Sequence, residues 1–598
     1  MPINSVLLQY QAKLQEIQTN FHHLRSGQTT ALAVMVAAGV IVLVFSFLAW
    51  QKRAWGLWCS PLPLAAIAFS GRKYVQNHSG LYRLSRLKRY YERGLARVEN
   101  RWAGTGFGGE QFQPFNHPYA GNLTLFGEGS LFELLCTSRT DIGRHRLANY
   151  LLETPDLDEV RERQKAVQEL KNRTDLFEQV ALLGKFDFQE SNRQTFAEWL
   201  EIPVFSVHPI VRFMVLSTSV MLAVFMLLGF DAVMDWSHLW AWVVPLLAIH
   251  GVLALVFRRR VAQLLPAVRS VGLEMKIITD GLHLLRSQKF ESEKLRRIAE
   301  CSKTDDLLRA FHKLERLTNA LLECDKEWFY PFSRLLLVNT QLLLAVERWK
   351  LQNADLLRAS LAAWGEFEAL VALALYAYEH PENAFPEFVA DDVVFEAQGL
   401  GHPLLPHNDC VRNEIALNTE KQFYLISGSN MSGKSTLLRT LGVNAVLAYA
   451  GAPVRAKQIR LSLFSVCASL AVVDSLLNGK SKFLVEMDRL RQAIEFTNGS
   501  RPVLFLIDEI LSGTNSRDRR VATEAIIRTL IGGGALGVIS THDLTLTEIP
   551  DLDGFSGMNV HMGSKNSSDP LNFDYLLKIG PSTESNALAI ARMAGVLV

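Results

Sequence analysis

The chain has only six cysteines in 598 residues, Cys59, Cys136, Cys301, Cys324, Cys410 and Cys467, and no two of them form a C-x-x-C pair. Neither a zinc site nor a disulfide framework is therefore expected. An excess of either charge is also missing: 62 basic against 60 acidic side chains leave a net charge of +2. No overall field draws the protein onto nucleic acid or acidic lipid, so any basic surface is a local patch. Charged residues of both signs make up 20% against 49% apolar, which excludes disorder and suggests a membrane component. The first 29 residues carry Lys13, Glu16, His22, His23 and Arg25. The apolar region and small-residue cleavage site of a signal peptide are absent there, so removal of the N-terminus is not expected.

Long runs without charge are what the chain does have. Ala31 to Trp50 gives twenty consecutive uncharged positions, matching a hydrocarbon core of ~30 Å at about 1.5 Å per residue. Ala54 to Gly71 is a second uncharged run, interrupted by Pro61 and Pro63 and barely long enough to cross. A second pair covers Ile210 to Phe230, with Arg212 its only charge, and Trp236 to Phe257, with Trp236, Trp240 and Trp242 as interfacial anchors. Four transmembrane helices are expected, as two hairpins at about 31–71 and 210–257. Buried core helices are the plainer alternative for each. Basic flanks at Arg72-Lys73 and Arg258-Arg259-Arg260 put the large segments on the cytoplasmic side of the plasma (inner) membrane, although Lys52 and Arg53 count against this orientation. From Arg72 to Arg101 nine Arg or Lys residues face only Glu92 and Glu99 on a helical pattern. Attraction to anionic lipid is the preferred reading and DNA binding the alternative.

Chemistry gathers in the last third. The apolar strand Phe423 to Ser427 runs into Gly428-Ser429-Asn430-Met431-Ser432-Gly433-Lys434-Ser435-Thr436 and then a helical pattern. Such a loop turns backbone N–H groups onto phosphate oxygens, with Lys434 reaching the β- and γ-phosphates and Ser435 ligating Mg²⁺. A second strand, Val503 to Ile507, ends in Asp508-Glu509, placing Asp508 to hold the metal through water and Glu509 to act as base or to orient the attacking water. A third, Ala535 to Ser540, ends at His542, positioned to sense the γ-phosphate. For Asp508 and Glu509 the bland alternative is helix capping, and for His542 an ordinary polar loop residue.

This set, with Gly513-Thr514-Asn515 and Ser540-Thr541-His542, resembles the ATPase domain of the MutS family. Gly401-His402-Pro403, Val411-Arg412-Asn413, Asp474-Ser475-Leu476 through Val485-Glu486-Met487, and the ending from Phe573-Asp574-Tyr575 extend the match over roughly 390–598. Gly129-Ser130-Leu131 through Arg163-Gln164-Val167 is similar to the start of that family's helical core. The resemblance implies three parts. Residues 1–122 form an N-terminal hairpin and basic helix. Residues 123–390 form an all-α core and lever domain carrying the second hairpin, and residues 391–598 an α/β P-loop ATPase domain of ABC-like type. It also implies ATP and Mg²⁺ as cofactors, a homodimer with ATP at its interface, Ser481 completing the partner subunit's site, and Asn413 and His402 near the nucleotide.

Departures from the family pattern shift the expected function. Leu511-Ser512 stands where the mismatch-repair pattern has Gly-Arg, and Lys482 follows Ser481 where Thr is usual. Two apolar spans occupy the length before residue 123 in which mismatch-reading and connector domains would lie. The expectation is a membrane-anchored ATPase that binds DNA without reading mismatches. The alternative is a mechanical module acting on lipid or an unidentified protein partner.

Overall fold

A computed structural model describes residues 3–51, 61–184, 196–204, 207–230, 236–303, 305–327, 329–429, 431–470, 482–566 and 569–582. Two long helices open the chain, α1 (Ile3–Trp50) and α2 (Pro61–Val98), packed side by side. The apolar run ending at Trp50 is thus the last part of one 48-residue helix. Of the expected second span, α2 holds the part from Pro61 onward, and residues 52–60 lie outside the described residues. At the other end of this hairpin Val6, Tyr10 and Ile17 pack with Tyr91.

The second hairpin consists of α3 (Pro209–Phe230) and α4 (Trp236–Ser287). Helix α4 continues without a break from the apolar run into the helical core, where Met275, Ile278, Leu282 and Leu285 are fully buried. The core is organised around α5 (Val338–Glu379), 42 residues and therefore about 63 Å long. Length and composition give four described helices able to cross a membrane, but their surroundings divide them. The apolar windows of α1, α3 and α4 are only 11%, 22% and 22% buried, whereas that of α5 is 83% buried. Hydropathy in α5 therefore serves packing, and in the other three it faces outward.

Part of the basic run is structural. Arg86 is buried and donates to the carbonyl oxygens of Ala181 and Leu183, and Arg139 donates to the same two. Those carbonyls close the helix Thr174–Leu182, whose last turn has no intrahelical donors and carries partial negative charge. Arg97 grips Glu379 with two hydrogen bonds of 2.7 and 2.6 Å, and the Tyr10 hydroxyl donates to the same carboxylate at 3.0 Å. Glu379 is 1% exposed, so removing its partners would leave a buried charge unpaired, at a cost of about 3–5 kcal/mol. Exposed basic residues remain at Arg72, Lys73, Arg83, Lys88, Arg89 and Arg101.

The C-terminal part is built on a six-stranded sheet: β1 (Phe423–Ser427), β2 (Ser465–Ser469), β3 (Val503–Ile507), β4 (Leu536–Thr541), β5 (Gly557–His561) and β6 (Lys578–Ile579). Their spatial order is β6-β5-β1-β4-β3-β2, parallel except for β6 at the edge. Strands β1, β3 and β4 are buried along their whole length, as apolar runs with no alternation require of strands covered on both faces. Helices α6 (Lys434–Ala450), α7 (Lys482–Thr497) and α8 (Ser516–Gly532) pack around the sheet. A smaller four-stranded sheet, ordered Glu387–Phe388, Gln458–Leu461, Phe395–Leu400 and Asn413–Leu417, stands beside it. One continuous apolar core joins the helical part to α6. Asn122 fastens the junction, donating to the Ala468 carbonyl and accepting from the Leu470 N–H and Arg489.

Candidate nucleotide-binding site

The carboxyl ends of β1, β3 and β4 lie side by side, with Ser427 paired to Thr541 and Ile507 to Ile539. Groups projecting beyond those ends share one crevice, the ligand position of open α/β sheets. The loop after β1 supplies the first set. Gly428 has φ +146°, and a Cβ there would lie 2.2 Å from the Met562 carbonyl oxygen. Gly433, at φ +100°, turns the chain into α6 in a left-handed conformation. Both positions require glycine. Ser435 and Thr436 follow on the first turn of α6, where free N–H groups and the helix dipole favour an anion.

Lys434 is 5% exposed, and its ammonium donates to the carbonyls of Gly428 at 2.9 Å and Ser429 at 2.7 Å. Burial pushes its pKa down to about 8, against Asp508 and Glu509, which favour the charged form. The hydroxyls of Ser429 and Ser432 are buried and have no hydrogen-bond partner among the described residues. Unsatisfied buried donors in a loop of this shape fit phosphate oxygens.

Strand β3 delivers the acids. The Asp508 N–H donates to the Ser469 carbonyl at 2.8 Å, continuing the β3 ladder, while the Ser540 hydroxyl donates to the Asp508 carboxylate. Ser540 also accepts from the Glu509 N–H at 3.0 Å. Glu509 sits at φ +52°, a conformation costly for a non-glycine residue and found at functional turns. Its carboxylate meets His542 Nε2 at 3.1 Å. Just beyond, the buried Glu486 carboxylate of α7 accepts from the Leu511 N–H at 2.7 Å.

Lys434, Ser435, Thr436, Gly433, Met431, Glu509, His402 and Asn413 all line one cleft of ≈ 510 Å³. Asp508 and His542 reach it through Ser540 and Glu509. His402 is buried in the wall, where burial, then Arg439 and Arg455, push its pKa down to about 4 and keep the ring neutral. Asn413 is already engaged: it donates to the Tyr575 carbonyl at 3.1 Å and accepts from the Leu577 N–H at 2.7 Å. Its role here is to pin the 575–577 segment against the cleft. Asn430 and Ser481 lie outside the described residues. Val411 of the Val411-Arg412-Asn413 motif, Tyr575 of the Phe573-Asp574-Tyr575 ending and Met562, which no sequence motif marks, also line the cleft.

No group of three or more His, Cys, Asp or Glu side chains with metal-holding geometry occurs among the described residues. The donor set of one serine hydroxyl and one carboxylate instead suits Mg²⁺, which keeps several waters and takes further ligands from phosphates.

The lysine's lowered pKa sets a pH dependence. Free protein holds Lys434 neutral above about 8, whereas its ordinary value is 10.5. Phosphate prefers the ammonium, so binding takes up a proton, and the Kd for ATP should rise about tenfold per pH unit above that point. Over the same window the unfolded chain binds the extra proton, so stability of the free protein rises with pH as affinity falls. Calorimetric titrations in buffers of different ionisation enthalpy measure the proton uptake directly. A Kd flat from pH 7.5 to 9.5 would contradict it.

A phosphate-binding loop, an Asp-Glu pair and a histidine on adjacent parallel strand ends define a P-loop nucleotide-binding domain. Residues 424–597 match the family described as MutS domain V. The chain is similar to the DNA mismatch repair protein MutS of two strains of Lactobacillus delbrueckii subsp. bulgaricus, ATCC 11842 and ATCC BAA-365. Each is 31% identical over 239 residues, which is 39% of this chain and 28% of the relative. The likeness to the MutS family thus rests on this domain. It spans little more than a quarter of the length of these curated relatives.

Proposed function

We propose that the protein is a membrane-anchored ATPase in which ATP binding closes the heads of a homodimer and hydrolysis reopens them, with α5 carrying the motion. The observation that carries this reading is that Lys434 and Glu509 line one cleft, with His542 bonded to Glu509. Proteins of the MutS family are in general ATPases that use ATP with Mg²⁺. Lys434 and the loop would hold the phosphates, while Ser435 and, through water, Asp508 would hold the metal. Glu509 would orient or deprotonate the attacking water, with His542 coupled to it. The segment around Ser481 would complete the partner subunit's site. Outward-facing apolar helices α1, α3 and α4 support multi-pass anchoring in the plasma (inner) membrane, with the ATPase domain in the cytoplasm.

A second reading adds DNA, favoured by the name of the relatives, DNA mismatch repair protein. Lever contacts alone would go mainly to phosphates, giving steep salt dependence and little discrimination of pairing. The test uses full-length protein, first in membranes and then in vesicles. Resistance to alkaline carbonate together with Mg²⁺-dependent ATP turnover is the expected result; release into the soluble fraction would reject the anchored reading. In a competition at near-physiological salt, a duplex with one G·T mispair should bind like the perfect duplex. A tenfold preference for the mispair, about 1.4 kcal/mol, would restore mismatch recognition as the function.

A further inference from the structure

Beyond the two hairpins, the chain reaches the apolar zone a third time. At the far end of the levers, the short helix Tyr330–Leu335 and the turn at Leu336-Leu337 lead into α5. This turn packs on the middle of the α3/α4 hairpin: Leu335 and Leu336 join Leu222, Val243 and Leu246 in one apolar cluster. Lower down, Leu337 and Leu344 join Val215 and Phe257. Leu344 thus marks the level of Phe257, beside the basic Arg258-Arg259-Arg260 edge, and Leu336 lies eight residues deeper. The helical part of that path, Val338 to Leu344, rises about 9 Å, which places the turn inside a core ~30 Å thick.

We infer that residues 329–341 form a re-entrant membrane element whose partner is the acyl region of the lipid bilayer. This rests on the reading that α3 and α4 span the membrane. Three observations carry it. First, the non-helical backbone at this depth is satisfied from within. The Leu336 carbonyl accepts from Ser219 at 2.9 Å and from Gln341 at 3.0 Å, and Gln341 also donates to Ser219 at 2.8 Å. Ser219 further contacts His250 Nε2 at 3.1 Å, and Ser333 donates to the Cys324 and Tyr330 carbonyls. Irregular backbone is tolerated at membrane depth only when covered in this way. Second, large aromatic side chains of the element stand outward: Tyr330 is 42% and Phe332 54% exposed. Leu216, Val220, Ile249 and Val252 on α3 and α4 are likewise exposed. Third, the segment's one charged residue, Arg334, lies with its guanidinium 5.0 Å from the Tyr330 ring centre. A long stem over an aromatic face lets such a group reach the interface while its carbon chain stays in the apolar zone.

Helix α5 would then be one strut running from lipid to Glu379, so head motions would act on the bilayer as well as on the hairpins. The experiment places the photoreactive residue p-benzoylphenylalanine singly at position 332, at position 252 in mid-α4, or at position 309 on an exposed lever surface. Full-length protein is reconstituted into phosphatidylethanolamine/phosphatidylglycerol vesicles and illuminated, and adducts are identified by mass spectrometry. Lipid adducts at 332 within about threefold of those at 252, and none at 309, are expected. Adducts at 252 without lipid adducts at 332 would overturn the re-entrant element and leave the spans standing. Crosslinking of 332 mainly to a polypeptide would overturn the lipid assignment. No lipid adducts at either 332 or 252 would sink both this inference and the spanning reading beneath it.

Discussion

Glu509→Gln is expected to bind MgATP with near wild-type affinity and to hydrolyse it roughly a hundredfold to ten-thousandfold more slowly, the usual share of a positioned general base. The amide keeps the size of the side chain and accepts from His542 at the same place, where Nε2 now lies 3.1 Å from the carboxylate. What it loses is the ability to take a proton from water or to hold a developing hydronium. With hydrolysis blocked, ATP-loaded heads should accumulate as closed dimers. Single-turnover hydrolysis measures the first effect and sedimentation velocity the second. Undiminished turnover would move the base elsewhere, and a variant that stays monomeric with saturating ATP would refute the shared-site arrangement.

Lys434→Ala should lose ATP binding and turnover together, by about a hundredfold or more in rate, because the chief side-chain contact to the β- and γ-phosphates is gone. The buried ammonium is held at a cost to the free protein, as the fall of its pKa to about 8 records. Its removal gives up two hydrogen bonds to the Gly428 and Ser429 carbonyls but also removes a poorly solvated charge. The melting temperature without nucleotide should therefore stay within a few degrees of wild type, while the upward shift given by ATP disappears. A large drop in melting temperature would mean that the loss of activity reports unfolding. Wild-type turnover by a folded variant would end the assignment of the loop.

The candidate site was legible in the sequence because phosphate chemistry imposes contiguous patterns. A strand, a glycine-bounded loop and a helix start must follow one another in the chain, and Asp508 and His542 must end parallel strands. The long apolar helices were legible because their outward-facing stretches carry so few charges along their length. Less local facts were hidden. Arg86 and Arg97 read as members of a basic stripe, yet their partners are residues 181, 183 and 379, at separations no periodicity encodes. Asn413 lines the cleft as expected, but the bonds of its amide to the backbone of 575–577 have no signature in the sequence. The turn at 329–341 was missed because it is too short to register as a span, and its polar residues, Ser333 and Gln341, look like a surface loop until Ser219 is brought alongside.

On the membrane-anchored reading, the grip of Tyr10 and Arg97 on Glu379 bears on how a water-soluble form can be made. A chain shortened to begin near residue 123 would keep every motif of the nucleotide site and look like a tidy head domain. It would also strip the Glu379 carboxylate of the three hydrogen bonds given by Tyr10 and Arg97, and take Arg86 from the end of the helix Thr174–Leu182. Part of the first hundred residues is thus a wall of the folded head rather than a removable tether. A soluble form is better sought by exchanging the outward-facing apolar residues of 31–50 and 61–71 for polar ones, keeping the packed end of the hairpin, than by cutting it off.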